Sequence, residues 1–220
     1  MPSVSRAREA GVDPVTDTNL PEGMSPDAAV TWPSRELIDS YLGGSHEMFA
    51  WRPGEIVEID GDAAQAAARA YRDVLGQYAS GVTVVTTMLD GNPVGMTCQS
   101  FTSVSLDPPL VAFLPMKTSR AFAAIRLSRR FCVNFLAAEQ SEVSNNFASL
   151  AEDKFAGVAW QPTSNGMPWI DDPVGWVDCV VQDVHEAGDH YLVIGRVEDL
   201  GQGEAEKPLL FHQGRYRTAD

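Results

Sequence analysis

Apolar positions in this chain follow a helical rhythm up to about residue 78 and a strand rhythm from residue 82 onward. Ala67, Ala70, Tyr71, Val74, Leu75 and Tyr78 recur every three or four residues, which lines one face of a helix. Asp62 stands where an N-cap belongs, and Gly81 stands where such a helix can end. Residues 82–88 (VTVVTTM) are mostly β-branched, and Asp90-Gly91 follows as a hairpin signal. Residues 93–101 are therefore expected to return antiparallel. Further strands are expected at 110–114, 130–136, 174–185, 190–200 and 209–216, with a hairpin turn at 186–189. Two helices interrupt them, 119–127 after Thr118 and 140–149. Earlier, Leu37, Ile38, Tyr41 and Leu42 share one face of a short amphipathic stretch, 34–42, stopped by Gly43-Gly44.

Many strands joined mainly by turns, with no βαβ alternation, predict a mainly β fold. The expected form is an antiparallel barrel with peripheral helices. Two regions are expected. Residues 1–62 form an acidic N-terminal extension, partly irregular, with its short helix near 34–42. Residues 63–220 form the main domain. The short helix is too small to stand alone, so its apolar face is expected to pack on that domain.

Charge sharpens this division. The 220-residue chain carries a net −14; residues 1–62 hold 12 acids against 4 bases. Phosphate backbones and anionic membrane surfaces repel such a protein, which argues against nucleic-acid and membrane partners. No apolar run approaches a membrane-spanning length of ~20 residues, and the first residues lack a secretory core. A cytoplasmic protein is expected. Cys98, Cys132 and Cys179 are widely spaced and odd in number. They make no disulfide framework, and Cys132 and Cys179 suit buried free thiols.

Conventional catalytic machinery is missing from the pattern. There is no GxSxG elbow, no HExxH and no GxGxxG after a strand, so hydrolase, metal and Rossmann readings lose support, and no metal is expected. Two segments stand out instead. Thr97, Gln99, Ser100, Thr102, Ser103 and Ser105 crowd into nine residues, interleaved with Phe101 and Val104. Such a run can line a groove for a planar ligand rich in acceptors; an ordinary Ser/Thr-rich connection explains it as well, and composition alone favours the latter. Lys117, Thr118, Ser119 and Arg120 sit where a strand ends and a helix begins. That is either a phosphate seat or a plain N-cap flanked by solvated bases.

Eight blocks, in order, carry a family resemblance. They are YRDVLGQYASGVTVVTT (71–87), GMTCQSFTSVSLDPPLV (95–111), KTSRAF (117–122), RFCVNFL (130–136), SNNFAS (144–149), KFAGV (154–158), GDHYLVIGRVE (188–198) and PLLFHQGRY (208–216). This text resembles the short-chain flavin reductases, the reductase components of two-component flavin-dependent monooxygenases. The resemblance implies an FMN-binding split barrel and a homodimer. It also implies reduction of FMN or FAD by NADH or NADPH, with reduced flavin diffusing to a monooxygenase. A chemistry carried by two cofactors explains the missing acid/base apparatus.

Residue by residue, the resemblance places Pro93, Val94, Gly95, Met96, Thr97, Gln99 and Ser100 around the flavin ring and ribityl chain. Leu114, Pro115 and Met116 line the ring, and Ser119, Arg120 and Ala121 seat the phosphate. Asn146 and Phe147 are a further flavin contact. His190 is the one candidate catalytic side chain, placed beside the nicotinamide. Phe211, His212, Gln213, Gly214 and Tyr216 help hold the nicotinamide nucleotide; His212 stands where many relatives carry Tyr. The alternatives are a tightly held flavin passing electrons to a partner protein, or a flavin binder without turnover.

Overall fold

A computed structural model of the chain describes residues 61–149 and 151–219. The amphipathic stretch at 34–42 lies outside them. Helix α1 spans Asp62–Leu75. Asp62 is its first residue rather than its cap: Gly61 takes the N-cap position at φ 92°, and no side chain caps the end. The helix ends with Gly76 as its C-cap, five residues before Gly81, because beyond it the Gln77 and Tyr78 N–H groups turn to the i−3 carbonyls of Val74 and Leu75 at 3.1 and 3.0 Å. Tyr78 therefore lies beyond the helix. The apolar residues of this segment do not enter the core, and Tyr71, Val74, Leu75 and Tyr78 are all exposed.

Strands β1 (Ser80–Gly81), β2 (Thr83–Leu89), β3 (Asn92–Cys98), β4 (Phe101–Leu106) and β5 (Pro109–Phe113) follow. Helix α2 (Arg120–Ser128), β6 (Arg130–Phe135) and α3 (Ser141–Ala148) come next, then β7 (Trp160–Pro162) and β8 (Pro168–Ile170). The chain ends with β9 (Gly175–Ala187), β10 (His190–Gln202), β11 (Leu209–His212) and β12 (Arg215–Thr218). Every pairing between these strands is antiparallel.

The main sheet runs β3-β2-β6-β9-β10-β5-β4. Its two outermost strands, β3 and β4, are consecutive in the chain and separated only by Gln99 and Ser100. Two opposite edges can be joined by so short a link only if the sheet curls round until they meet. At that seam the Leu114 N–H donates to the Ser100 carbonyl at 3.2 Å, while β3 and β4 do not pair with each other. The product is a barrel left open along one seam, as the resemblance implies.

Val84 and Val85, adjacent on β2, point to opposite faces and feed two cores. The barrel interior gathers Val85, Phe113, Phe131, Val133, Val181 and Val193, closed by Phe122 and Ile125 of α2. The outer core joins Val82, Val84, Leu136, Phe147, Phe155, Ile170 and Leu209. The fully buried phenylalanines Phe113, Phe122, Phe131 and Phe147 each contribute about 1.5–3 kcal/mol of burial free energy. Among the described residues, no helix is long and apolar enough to cross a membrane.

Several expectations need correction. Residues 101–106 are strand β4, not part of a connection; Thr102 and Ser103 are exposed and Ser105 half-buried on an edge strand that pairs with β5. The single strand expected over 209–216 is a hairpin, β11–β12, because Gln213 and Gly214 take φ 50° and 72° and reverse the chain. The β7–β8 pair escaped notice because each strand has three residues and proline at one end.

Candidate active site

The seam of the barrel collects most of the singled-out residues. On its first side is β3. It pairs only with β2 among the described strands, so its outer edge keeps backbone groups for another partner. Pro93, Val94, Met96 and Thr97 are half-buried on it. Gly95 is buried, and its missing side chain is the reason α3 can approach. A Cβ there would lie 2.7 Å from the ring of Phe147. Phe147 is itself fully buried, so it backs β3 from behind and presents no open ring face to a ligand.

Thr97 donates its hydroxyl to the Ser144 carbonyl of α3 at 2.6 Å. Past the end of β3, Gln99 and Ser100 are exposed. The Ser80 hydroxyl lies 3.5 Å from the Gln99 amide oxygen, and Ser100 donates to the Leu114 carbonyl at 3.0 Å. That second bond carries the seam directly onto Leu114, Pro115 and Met116.

Helix α2 begins beside this point. Ser119 is its N-cap, accepting from the Phe122 N–H at 3.3 Å and donating to the Met96 sulfur at 3.1 Å. Its hydroxyl is thus committed to the fold. Arg120 and Ala121 open the helix, at the end where its dipole is positive. Lys117 leans away, pairing with Glu186 at 2.8 Å.

The β9–β10 hairpin tip reaches the same segment from the other side. Met116 and His190 form an isolated antiparallel bridge. Around it, the Lys117 N–H donates to the Asp189 carbonyl and the Tyr191 N–H to the Pro115 carbonyl, both at 2.9 Å. His190 Nδ1 lies 2.8 Å from an Asp189 carboxylate oxygen.

The C-terminal hairpin joins at a third side. Tyr216 donates to Ser144 Oγ and lies equally close, at 2.9 Å, to the Asn145 side-chain oxygen. Its ring meets Phe211 edge-on at 5.5 Å. An open hollow of about 420 Å³ lies beside it, lined by Ala138, Ser141, Leu209, Tyr216, Arg217 and Thr218. Gln213 and Gly214 form the exposed turn; Gln213 is tied to Gln77, and its N–H donates to the Gly76 carbonyl. His212, half-buried, ends β11. Asn146 donates to the Lys154 carbonyl at 2.7 Å, which spends its amide on the loop after α3.

Sequence reasoning missed Ser144, which links Thr97 to Tyr216. It also missed Asp189 and Tyr191, which flank His190. The block SNNFAS contained the first and GDHYLV the other two, but only their neighbours were singled out.

Thiol chemistry has no place in this arrangement. Cys98, Cys132 and Cys179 are buried and free, and burial raises all three above the ordinary thiol range. The seam instead offers hydroxyls, amides, strand-edge donors and a helix start, which suits the binding of a polar, planar, phosphorylated ligand.

Comparison with known proteins agrees with the fold and the donor set. The chain belongs to the family defined by the flavin reductase like domain, which matches residues 75–220. Its activity is the reduction of flavin by a nicotinamide cofactor. It is 50% identical over 155 residues to the reductase subunit of a flavin-dependent monooxygenase, HsaB, from Mycobacterium tuberculosis, covering 70% of this chain and 83% of that one. Among solved structures it is similar to nitrilotriacetate monooxygenase component B from Mycobacterium thermoresistibile, with 48% identity and a TM-score of 0.70, over 71% of this chain and 88% of that one. It is also similar to an NADH:FAD oxidoreductase from Streptomyces globisporus solved with NAD and FAD fragments, with 35% identity and a TM-score of 0.66, over 69% of this chain and 92% of that one.

Proposed function

We propose that the seam binds FMN or FAD as an exchangeable substrate and NADH as reductant, and that reduced flavin leaves to serve a separate monooxygenase. The observation that carries this reading is the convergence of β3, the 114–116 segment, the α2 start and the His190 hairpin on one seam. Pro93, Val94, Met96, Thr97, Gln99 and Ser100 hold the ring and ribityl chain, with Leu114, Pro115 and Met116 beside them. The first N–H groups of α2 and the Arg120 guanidinium take the phosphate. His190 and the Phe211–Tyr216 hairpin steady the nicotinamide nucleotide. Bound flavin supplies the hydride acceptor; the residues orient the two ligands and exclude water. NADH is favoured because the Streptomyces relative is named for it. The protein works in the cytoplasm, where that cofactor is held.

Anaerobic NADH oxidation, followed with FMN or FAD added in turn, tests this. The rate should be near zero without added flavin and saturate with it. Flavin that co-purifies stoichiometrically and does not exchange would instead support the electron-transfer alternative.

The working unit is a homodimer. Supporting this, α1 exposes Tyr71, Val74 and Leu75, an apolar stripe with nothing to cover it among the described residues. A helix of this length gains its stability from packing. Sedimentation should give twice the 23.9 kDa chain mass. Val74→Asp should move the protein toward the single-chain mass, and an unchanged sedimentation coefficient would remove this face from the interface. Residues 1–62 are an extension outside the reductase domain at 63–220.

A further inference from the structure

The backbone on both sides of His190 is pinned. Asp189 accepts from the Lys117 N–H, His190 faces Met116 in a bridge, and Tyr191 donates to Pro115. The Tyr191 ring is held as well, with the Phe122 ring at 5.2 Å, the Arg126 guanidinium at 5.4 Å and the Lys117 ammonium at 5.5 Å. What these contacts leave undetermined at His190 is the rotation of its side chain and the nitrogen that carries its proton. Both are settled by a neighbour: the Asp189 carboxylate lies 2.8 Å from Nδ1.

We propose that Asp189 is a positioning residue for flavin reduction, one that fixes the tautomer and orientation of His190 so that Nε2 faces the nicotinamide carboxamide as an acceptor. This rests on the placement of His190 beside the nicotinamide. An ionised carboxylate only accepts, so a neutral imidazole facing it carries its proton on Nδ1 and leaves Nε2 with a lone pair. A carboxamide N–H₂ is the matching donor. The imidazole in turn holds the Asp189 carboxyl below the usual carboxylate range, first through this hydrogen bond, with the Lys117 charge adding to it. The acceptor therefore stays ionised through the neutral range. Another His–Asp pair among the described residues, His185 with Asp183 at 3.0 Å, lies within β9 and shares none of these backbone ties.

Steady-state kinetics of Asp189→Ala, Asp189→Asn, His190→Ala and the double variant test the assignment. Asp189→Ala should raise the KM for NADH about 5- to 10-fold while the KM for flavin moves less than about twofold. Asn keeps a side-chain oxygen that accepts from Nδ1, so Asp189→Asn should recover most of the loss. Adding Asp189→Ala to His190→Ala should cost nothing more, since the carboxylate acts through the imidazole. If His190→Ala raises the KM for NADH and Asp189→Ala does not, the role of Asp189 is refuted while the placement of His190 stands. If neither variant moves it, the placement itself falls. An equal rise in the KM for flavin, or an Asn variant no better than Ala, would also overturn the positioning role.

Discussion

Gly95→Val should unfold well below the parent protein and lose flavin affinity at the same time. A Cβ at Gly95 would stand 2.7 and 2.9 Å from two carbons of the Phe147 ring and 3.2 Å from the Thr86 methyl. Phe147 has no room to retreat: it is fully buried and packed edge-on against Phe155 at 4.8 Å. Overpacking of this kind typically costs about 1–3 kcal/mol for a methyl group, and valine adds two more carbons. The strand that must yield is β3, and with it move Met96 and Thr97. Thermal melts and flavin titrations of Gly95→Ala and Gly95→Val should therefore fall together, in that order. Adding Phe147→Leu should restore part of the loss in Gly95→Ala. A Gly95→Ala protein that melts with the parent would show that the close approach of α3 is not what requires glycine here.

The same residue shows what the sequence could and could not convey. Gly95 was singled out by resemblance as a flavin-lining position. The structure gives it a packing reason: a contact with Phe147, 52 positions along the chain, that no local pattern encodes. Local patterns did well where the chain's own chemistry decides the outcome. The β-branched run at 82–88, the Asp90-Gly91 turn and the cap at Ser119 all appear within a residue or two of expectation. They failed where a distant strand decides. Residues 101–106 read as a polar connection because half of their side chains are Ser or Thr, yet pairing with β5 makes them strand. Gly81 read as a helix stop because the period extends to Tyr78, yet the backbone closes at Gly76.

The site was legible as residue types and not as a network. Thr97 with Ser144, Ser100 with Leu114, and Met96 with Ser119 are contacts between segments 14 to 47 residues apart. The last two exist because the sheet curls until its edges meet; the first joins β3 to the helix that packs on it. That curl also explains why flavin chemistry needs no acid/base apparatus on this chain. The fold brings a strand edge, a helix start and a hairpin tip to one seam, and orientation is what hydride transfer asks of the protein.

Asp178 sits on β9 away from that seam, and it should make the protein less stable as pH rises. It is fully buried, one carboxylate oxygen accepts from the Thr163 hydroxyl, and the other has no hydrogen-bond partner. Thr163 in turn receives the Met167 N–H at 3.0 Å, so the carboxyl anchors the loop between β7 and β8. Burial raises this carboxyl above the usual range; hydrogen bonding from Thr163 and Asn165 and the Arg130 charge oppose the shift without cancelling it. The folded state thus prefers the protonated form. That preference stabilises the fold in full below the unfolded-state value of about 3.9 and is lost as pH rises through the raised folded value. Above that folded value the carboxylate is ionised, buried and incompletely paired. Asp178→Asn keeps an oxygen for Thr163 and carries no charge, so it should be more stable than the parent at pH 8 by about 2 kcal/mol, or about 5 °C in Tm. Below the unfolded-state value of about 3.9 the advantage should vanish, because the carboxyl is then neutral in the folded and the unfolded state alike. Melting curves for the two proteins from pH 3.5 to pH 8 would show the gap opening as pH rises above about 3.9, and an Asn variant that melts lower than the parent at pH 8 would mean that the ionised carboxylate is compensated where it lies.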